Sequence, residues 1–392
     1  MIRAVFACLI ALALPARAEI AIQEVTSPGG ITAWLVEDHN IPFAALEVHF
    51  KGGSALDAPG KRGAVNLMTG LLEEGAGDMD SRAFAEARDG LAAEFRFSSG
   101  NDSVGVSARF LTENRDAAID LLRLALVAPR FDQDAVDRVR EQVLSGLRAA
   151  EKDPGSIASE TFDQMAFGAH PYGSSPDGTI ETVTALTRDD VIAAHKATLA
   201  HDRIFVAAAG DITAEELGLL LDRLLGDLPA TGAAQPTEAA WLLQGGQTVI
   251  DFPTPQSTVL FGQIGIPRED PDFFAAYILN EALGGGRFTA RLMSELREKR
   301  GLTYGVGSYL VAMDHADIYM GQFSASNDKV AEAISVLRDE WARIGAEGIT
   351  EDELAVTKTY LTGSFPLRFD GNGKIASLLV GMQMDGLPID YV

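Results

Sequence analysis

The sequence predicts an α+β protein of two homologous domains, each an antiparallel-rich sheet with helices packed on one face. Strand and helix patterns alternate in blocks, which is typical of folds that place helices against a sheet. The pattern of the first half returns about 215 residues later, which indicates a duplicated domain rather than a short repeat. The 392 residues and the 47% hydrophobic content allow each half to bury its own core.

The first half opens with two alternating segments, ITAWLVED and FAALEVHFKGG, which are typical of paired strands around the turn HNIP. A buried helix is predicted within RGAVNLMTGLLEEGAG, and an amphipathic helix within DSRAFAEARDGLAA with Ser81 as its N-cap. Two strands follow in EFRFSSGNDSVGVSARFL, then a helix that ends near Pro129 and a long helix that ends before Pro154. Helices from Ser156 and Thr187 and the apolar strand DRIFVAAAGD complete this half.

The second half repeats this order after LPATGAAQPTEAAW, a segment rich in Ala, Pro, Gly and Thr that is typical of a linker. QTVIDFPTPQSTVLFGQIGIP corresponds to the opening pair of strands, and DFFAAYILNEALGGGRFTARLMSELREKRG takes the place of the opening helices. DIYMGQFSASNDKVAEAISVLRDEWARI and TEDELAVTKTYLTGSF match the later strand and helices. We therefore expect domains at 19–230 and 245–392, joined by a linker at 231–244.

Residues 1–18 have the order of parts of a secretory signal peptide. Arg3 precedes an apolar run at 4–14, and the small-residue cleavage site ARA ends at Ala18. The run is too short for a permanent membrane span, and Cys8 lies inside it rather than at a lipoprotein cleavage site. We expect an exported, periplasmic protein without a membrane anchor and, because Cys8 is the only cysteine, without a disulfide. The alternative for this segment is a buried N-terminal helix.

The composition argues against some classes of partner. The formal net charge is −24, and no basic cluster offsets it, so the surface repels phosphate backbones and anionic lipid. A nucleic-acid partner is therefore not expected. An acidic surface could favour basic peptides, but solubility is a sufficient explanation for the charge.

The usual catalytic motifs are missing from the sequence. H-E-x-x-H, H-x-x-E-H, G-x-S-x-G and a phosphate-binding loop are absent. Of the histidines only His195 and His201 are close, and a spacing of six does not stack them on one helix face. Adjacent Glu73 and Glu74 are interpreted as exposed charges at a helix end. The chain is expected to hold no metal or other cofactor.

Three segments and the duplicated pattern resemble the M16 family of insulinase, pitrilysin and mitochondrial processing peptidase. They are KRGAVNLMTGLLEEGAG, AHPYGSSPDGTIETVTALT, LGGGRFTARLMSELREKRGLTYGVGSYL and the duplicated pattern itself, which together cover nearly the whole chain after the leader. The third segment is the most specific. Family members usually continue beyond the final GLPIDYV, so we expect either a truncated sequence or a second domain that lacks an edge.

The resemblance implies that the zinc positions of the family are changed in this chain. Zinc-bearing members carry H-x-x-E-H on the opening helix, where two histidines bind zinc and the glutamate activates its water, and a distal glutamate is the third ligand. The histidine positions correspond to Asn66 and Gly70, the base to Thr69, and the distal ligand to Gly146. An amide and a hydroxyl do not replace imidazole and carboxylate at zinc, and glycine has no ligand atom.

The second domain keeps what the resemblance implies is the other half of an active site. In active members an arginine and a tyrosine seven residues apart bind the substrate backbone and stabilise the oxyanion, and REKRGLTY places Arg297 and Tyr304 at that spacing. The glycine run Gly284, Gly285 and Gly286 resembles the substrate-contacting loop of a non-catalytic processing-peptidase subunit, or is simply a turn. The alternative for the pair is a surface arginine and a core tyrosine.

These observations lead to three hypotheses. The first is a non-catalytic, peptide-binding subunit of an exported heterodimeric zinc metallopeptidase, whose zinc lies on a partner M16 subunit. The second is a structural or chaperone-like M16 core protein without a peptidase role. The third, a stand-alone metallopeptidase, is disfavoured by the changed zinc positions. The sequence names neither the substrate nor the partner.

Overall fold

The computed structural model describes residues 21–392, so the predicted leader and Cys8 lie outside the described residues. The first half contains one six-stranded sheet, in the order β1-β2-β8-β3-β7-β6, and a short pair, β4 with β5. Strands β2 and β8 run parallel, and the other neighbours in the large sheet are antiparallel. These strands are β1 (Gln23–Thr26), β2 (Thr32–Glu37), β3 (Phe43–Lys51), β4 (Gly75–Ala76), β5 (Met79–Asp80), β6 (Glu94–Ser99), β7 (Ser103–Leu111) and β8 (Ile204–Gly210).

Seven of the eight α-helices described in the first half cover one face of this sheet, and the eighth, Pro154–Phe167, packs against the strand Gln256–Ile264 of the second half. These eight helices are α1 (Ala64–Gly70), α2 (Ser81–Gly90), α3 (Arg115–Val127), α4 (Gln133–Ala150), α5 (Pro154–Phe167), α6 (Ile180–Ala185), α7 (Arg188–Thr198) and α8 (Ala214–Leu225). Alternate strand residues such as Leu35, Leu46 and Val106 point into this helical layer and are almost completely buried. The predicted α+β architecture is confirmed.

The second half adds a helix that the sequence did not place. Helix α12 (Asn372–Met384) packs on the opposite face of the first sheet, where Leu379 and Val380 contact a cluster that includes Trp34 and Ala207. Trp34 alternates with the inward-facing Leu35, so β2 is buried on both faces. The prediction of helices on one face therefore holds for the domain's own helices except α5, and α12 is an addition to it.

The predicted hairpin of β2 and β3 is wrong, although both strands form. Strand β8 lies between them, parallel to β2 and antiparallel to β3. Its sequence IFVAAAG is apolar throughout, which suits a central strand covered on both faces. Sequence order favoured pairing of neighbouring strands, whereas the all-apolar strand takes the central place.

The second half forms a smaller sheet in the order β10-β11-β9, with both pairings antiparallel. Its elements are β9 (Gln256–Ile264), α9 (Phe273–Leu283), a π-helical turn (Met293–Glu298), β10 (Val306–Ala312), β11 (Asp317–Ser326), α10 (Val330–Glu347), α11 (Glu351–Ser364) and α12. A second apolar core lies between this sheet and α10. The repeat of the strand, helix, strand, helix order predicted from the sequence is thus present.

The strand expected around QTVIDF does not form. Residues 245–255 have neither helix nor strand, and Val249 is 76% exposed. In the first sheet β2 is held by β8, and no strand among residues 21–392 takes the place of β8 in the second sheet. Without that neighbour the alternating pattern of this segment has nothing to pair with.

The N-cap of α2 is Asp80 rather than the predicted Ser81. The Asp80 carboxylate accepts the N–H of Ala83 at 2.9 Å, and Ser81 is the first helical residue. Aspartate and serine are both good N-caps, so the composition alone could not choose between neighbours.

The interpretation of Glu73 and Glu74 as freely exposed charges is also wrong. Glu73 accepts a hydrogen bond from Arg88 at 2.7 Å, and Glu74 accepts from the Ser81 hydroxyl at 2.6 Å and from Arg138. Both glutamates are only partly exposed because α2 and α4 approach the end of α1.

The two halves are joined by the tip of the β10–β11 hairpin. Asp102 accepts the backbone N–H of Asp314 at 3.3 Å, and the Tyr172 hydroxyl accepts that of His315 at 3.1 Å. Tyr172 in turn donates to Asp102, and Lys51 forms an ion pair with Asp314 at 3.2 Å. Tyr172 is 1% exposed, so this contact is a buried polar anchor between the halves.

Candidate functional site

Helix α1 carries two of the polar residues that the sequence singled out. Its start is held by Asp57, whose carboxylate accepts the N–H groups of Gly63 and Val65, each at 2.8 Å. Burial raises the pKa of Asp57 to about 6, although these N–H groups and nearby Arg62 oppose the increase. The helix is therefore positioned from outside its own segment, by a buried acid that takes the role of a cap.

The resemblance assigns Thr69 to the position of the family's catalytic glutamate, a correspondence that stays a prediction. Thr69 is 3% exposed, and its hydroxyl donates to the carbonyl oxygen of Val65 at 2.8 Å. That bond to the preceding turn uses the only proton of the hydroxyl. Thr69 is therefore part of the packing of α1, and an aliphatic hydroxyl is too weakly basic to act in place of a carboxylate.

Asn66 connects α1 to the edge of the first sheet. Its amide oxygen accepts the Ser99 hydroxyl at 3.1 Å, and Ser99 ends β6, the outermost strand of the sheet. Asn66 is half-buried, so the amide has a structural partner and keeps contact with solvent. Within the part of the chain that the structure describes, β6 pairs only with β7, so its other edge has no strand partner.

Gly70 and Gly146 are both exposed, and neither has a side-chain atom that could bind a metal ion. A Cβ at Gly70 would lie 3.2 Å from a methyl group of Val139 on α4, whereas a Cβ at Gly146 would meet no atom within 4 Å. Helices α1 and α4 thus pack against each other beside position 70 and leave position 146 open.

These four positions do not fit zinc. Structural and catalytic zinc sites use thiolate, imidazole or carboxylate ligands, whereas this face has one amide, one committed hydroxyl and two glycines. Within residues 21–392, no group of three or more His, Cys, Asp or Glu side chains is arranged to hold a metal ion. The donor set of this face therefore disagrees with the zinc that active family members carry at these positions.

Arg297 and Tyr304 lie on the second domain, at either end of a short turn. Arg297 belongs to the π-helical turn, in which the N–H of Lys299 donates to the carbonyl of Ser294 at 3.0 Å. Gly301 ends it with φ +59°, and its N–H donates to the Arg297 carbonyl at 2.9 Å. Tyr304 follows and is 86% exposed. The predicted alternative of a core tyrosine is therefore wrong.

The backbone that carries the pair is held by buried polar contacts. Glu295 accepts hydrogen bonds from Lys299 at 2.5 Å and from Arg300, and these donors hold the pKa of Glu295 below its usual value. The Thr303 hydroxyl contacts the carbonyls of Gly305 and Ser324 at 2.9 and 2.7 Å. Arg297 and Tyr304 are thus presented to solvent from a fixed turn.

In the glycine run, the local structure explains why positions 284 and 286 are glycine. A Cβ on Gly284 would lie 2.2 Å from the Ser308 hydroxyl, and Gly286 has φ +76°. The Gly284 carbonyl accepts the Ser308 N–H at 2.8 Å, which fixes the turn on β10. The structure thus favours the turn among the two interpretations, and the substrate-binding role of Gly284, Gly285 and Gly286 stays a prediction.

Sequence reasoning missed Phe288, which follows this turn. The guanidinium carbon of Arg297 lies 4.5 Å from the centre of the Phe288 ring, and the ring is 61% exposed. An aromatic residue directly after a glycine turn was the available signal. The structure therefore brings Arg297 and Phe288 together on one surface, with Tyr304 in the same loop region.

Comparison with known proteins agrees with this description. The model of the insulinase family, peptidase family M16, matches residues 32–179, and the model of the peptidase M16 inactive domain matches residues 185–361. The crystal structure of a peptidase M16 inactive domain from Pseudomonas fluorescens is 30% identical, with a TM-score of 0.89 over 95% of this chain and 89% of that chain. This chain belongs to peptidase family M16.

Two relatives illustrate the range of names within the family. The non-peptidase homolog YmxG of Helicobacter pylori is 25% identical over 356 residues, which are 91% of this chain and 82% of that protein. An uncharacterized zinc protease of Streptomyces coelicolor is 27% identical over 365 residues, which are 90% of this chain and 78% of that protein. The match to the inactive domain and the non-peptidase relative agree with the changed ligand positions. This M16 chain has the features of a non-catalytic member.

From residue 21 to residue 392, no helix combines the length and the apolar character that a bilayer span requires.

Proposed function

We propose that this M16 chain is a non-catalytic, substrate-binding subunit of an exported heterodimeric zinc metallopeptidase. The observation that carries the proposal is the contrast between the two halves. All four zinc positions have lost their donors, whereas Arg297 and Tyr304 are present on a fixed turn, with Arg297 partly exposed and Tyr304 86% exposed. A partner M16 subunit with the intact H-x-x-E-H helix supplies the zinc and the base.

The chemistry of the pair supports this role. A guanidinium and a phenol are hydrogen-bond donors that require little reorganisation when negative charge develops on a peptide carbonyl oxygen. Arg297 forms one long ion pair, with 3.9 Å between its Nε and an oxygen of the largely exposed Glu298, a distance beyond that of a hydrogen bond. Tyr304 is so exposed that packing does not explain it. Both groups are therefore free to bind a peptide backbone that lies between the two subunits.

Export belongs to the same proposal. The leader at 1–18 would direct the chain to the periplasm, and cleavage after Ala18 would leave Glu19 as the first residue. N-terminal sequencing of the protein recovered from the periplasmic fraction tests this part.

The activity test combines the chain with a zinc-bearing M16 subunit encoded beside it. Neither subunit alone should cleave an unstructured peptide, and the mixture should. Arg297→Ala and Tyr304→Phe should each lower kcat by about 100-fold, the usual cost of removing one oxyanion donor. Tyr309→Phe is the matched control, because Tyr309 is also a partly exposed tyrosine of the second domain, at 43%.

The alternative is a structural or chaperone-like M16 protein, which the name of the non-peptidase relative favours. It predicts that the mixture has no activity beyond that of the zinc subunit. It also predicts that a pull-down from the cell envelope recovers no zinc-bearing M16 subunit. Full activity of the Arg297→Ala complex would refute the role assigned to the pair.

A further inference from the structure

Phe288 is an exposed phenylalanine for which internal packing gives no reason. Phe288 is 61% exposed, and the guanidinium carbon of Arg297 lies 4.5 Å from the centre of its ring. Phenylalanine has no polar group to solvate, so the exposed part of the ring is apolar surface in contact with water. Such a ring beside the guanidinium of Arg297 has the composition of a binding surface.

The position of the ring is fixed from both sides. The preceding Arg287 donates to the carbonyl of Glu281 at 3.1 Å and to the Thr357 hydroxyl at 2.9 Å, and its guanidinium lies 4.7 Å from the ring centre of Tyr360. Arg287 is thereby held against α9 and α11. The next residue, Phe288, contacts the guanidinium of Arg297.

We propose that Phe288 is a specificity-determining residue that binds a large apolar side chain of the peptide. This inference rests on the proposed function, because it takes Arg297 and Tyr304 as the groups that bind the peptide backbone. The guanidinium covers part of the ring, and the remaining apolar surface is next to the bound backbone. The preferred ligand is an extended peptide whose large apolar residue adjoins the carbonyl held by Arg297.

The same contact gives Phe288 a positioning role. A cation over an aromatic ring is attracted by the ring quadrupole, so Phe288 restricts the orientations of the Arg297 guanidinium. A tyrosine at 288 preserves this contact, whereas leucine preserves only apolar surface. The two substitutions therefore separate positioning from simple hydrophobic contact.

The test uses two labelled, unstructured peptides of Gly, Ser, Thr and Asn that differ at one central residue, Phe or Ser. Binding to the full chain is measured by fluorescence anisotropy. The wild-type chain should bind the Phe peptide about tenfold more tightly than the Ser peptide. Phe288→Ala should abolish this preference, Phe288→Tyr should retain it, and Phe288→Leu should retain part of it.

The matched control is Phe274→Ala. Phe274 is 54% exposed and also lies beside an arginine, with the Arg268 guanidinium 5.8 Å from its ring centre. This control should keep the full preference. Equal binding of both peptides by the wild-type chain, no binding of either, or a preference that survives in Phe288→Ala would overturn the inference.

Activity of the complex distinguishes this result from failure of the proposed function. A complex that cleaves both peptides equally well refutes the inference and leaves the subunit role intact. A chain that selects the Phe peptide but gives no activity with any zinc-bearing partner supports the inference and refutes the peptidase role. In the active complex, Phe288→Leu should lower kcat more than it changes KM, and Phe288→Tyr should restore kcat.

Discussion

Replacement of Tyr172 by phenylalanine tests how the two halves of the chain are held together. The Tyr172 hydroxyl donates to Asp102 and accepts the backbone N–H of His315 at 3.1 Å, in a place where the ring is 1% exposed. Phenylalanine keeps the ring and removes only this oxygen. The variant therefore leaves one buried N–H without an acceptor and one buried carboxylate with a donor fewer.

The expected cost follows from these two losses. A buried donor left without a partner costs about 1–3 kcal/mol, and a hydrogen bond to a charged group contributes about 1.5–3 kcal/mol. Burial already raises the pKa of Asp102, so its carboxylate depends on the donors that remain. Since the two groups share one oxygen and the structure can relax, we expect a total loss of about 3 kcal/mol in the free energy of unfolding.

Urea unfolding followed by tryptophan fluorescence measures this loss. Tyr304→Phe is the control, because it makes the same chemical change at a side chain that is 86% exposed, and it should alter stability by less than about 0.5 kcal/mol. The two variants should also differ in function: Tyr304→Phe impairs the complex, and Tyr172→Phe leaves its kcat unchanged when folded. A cost below about 1 kcal/mol for Tyr172→Phe would refute the anchoring role of the hydroxyl.

Three further predictions concern stability. Gly146→Ala should raise the free energy of unfolding by about 0.5–1 kcal/mol in a urea titration, because Gly146 is an exposed residue inside a helix with no atom within 4 Å of the new Cβ. A lower free energy of unfolding would contradict the absence of a steric clash at this position. Burial lowers the pKa of His195 below 6.5, although its Nε2 contacts the Leu126 carbonyl at 2.8 Å. The unfolded chain therefore binds more protons than the folded chain, and stability falls as pH drops below about 6.5. His195→Gln should reduce the dependence of the free energy of unfolding on pH between pH 7.5 and 5.5, and an unchanged dependence would be contrary evidence. Arg291 donates to both oxygens of the Glu353 carboxylate at 2.5 and 2.7 Å and lowers the pKa of Glu353 to about 2. The pair therefore stabilises the fold above pH 4.5, and its contribution decreases as pH falls toward 2. Arg291→Lys loses the two-point contact and should lower the free energy of unfolding by about 1–2 kcal/mol at pH 7, and by less at pH 3, in thermal or urea unfolding.

Much of the site was available from residue types and spacing. The loss of the zinc ligands needs only the identities of Asn66, Thr69, Gly70 and Gly146, because glycine has no donor in any conformation. What the remaining polar residues do was not available. The hydroxyl of Thr69 turns back to its own helix, and the amide of Asn66 contacts a strand 33 residues away in sequence.

The sequence by itself determined the architecture of this protein, because periodicity of apolar residues and the duplicated order of elements are local properties that survive without knowledge of distant contacts. Only the tertiary structure decided which strands are neighbours, since β8 inserts between β2 and β3, and where α12 packs. It also decided that Phe288 lies against Arg297. These features join residues that are distant in sequence or follow an irregular turn, and they depend on the shape of surfaces that exist only after folding.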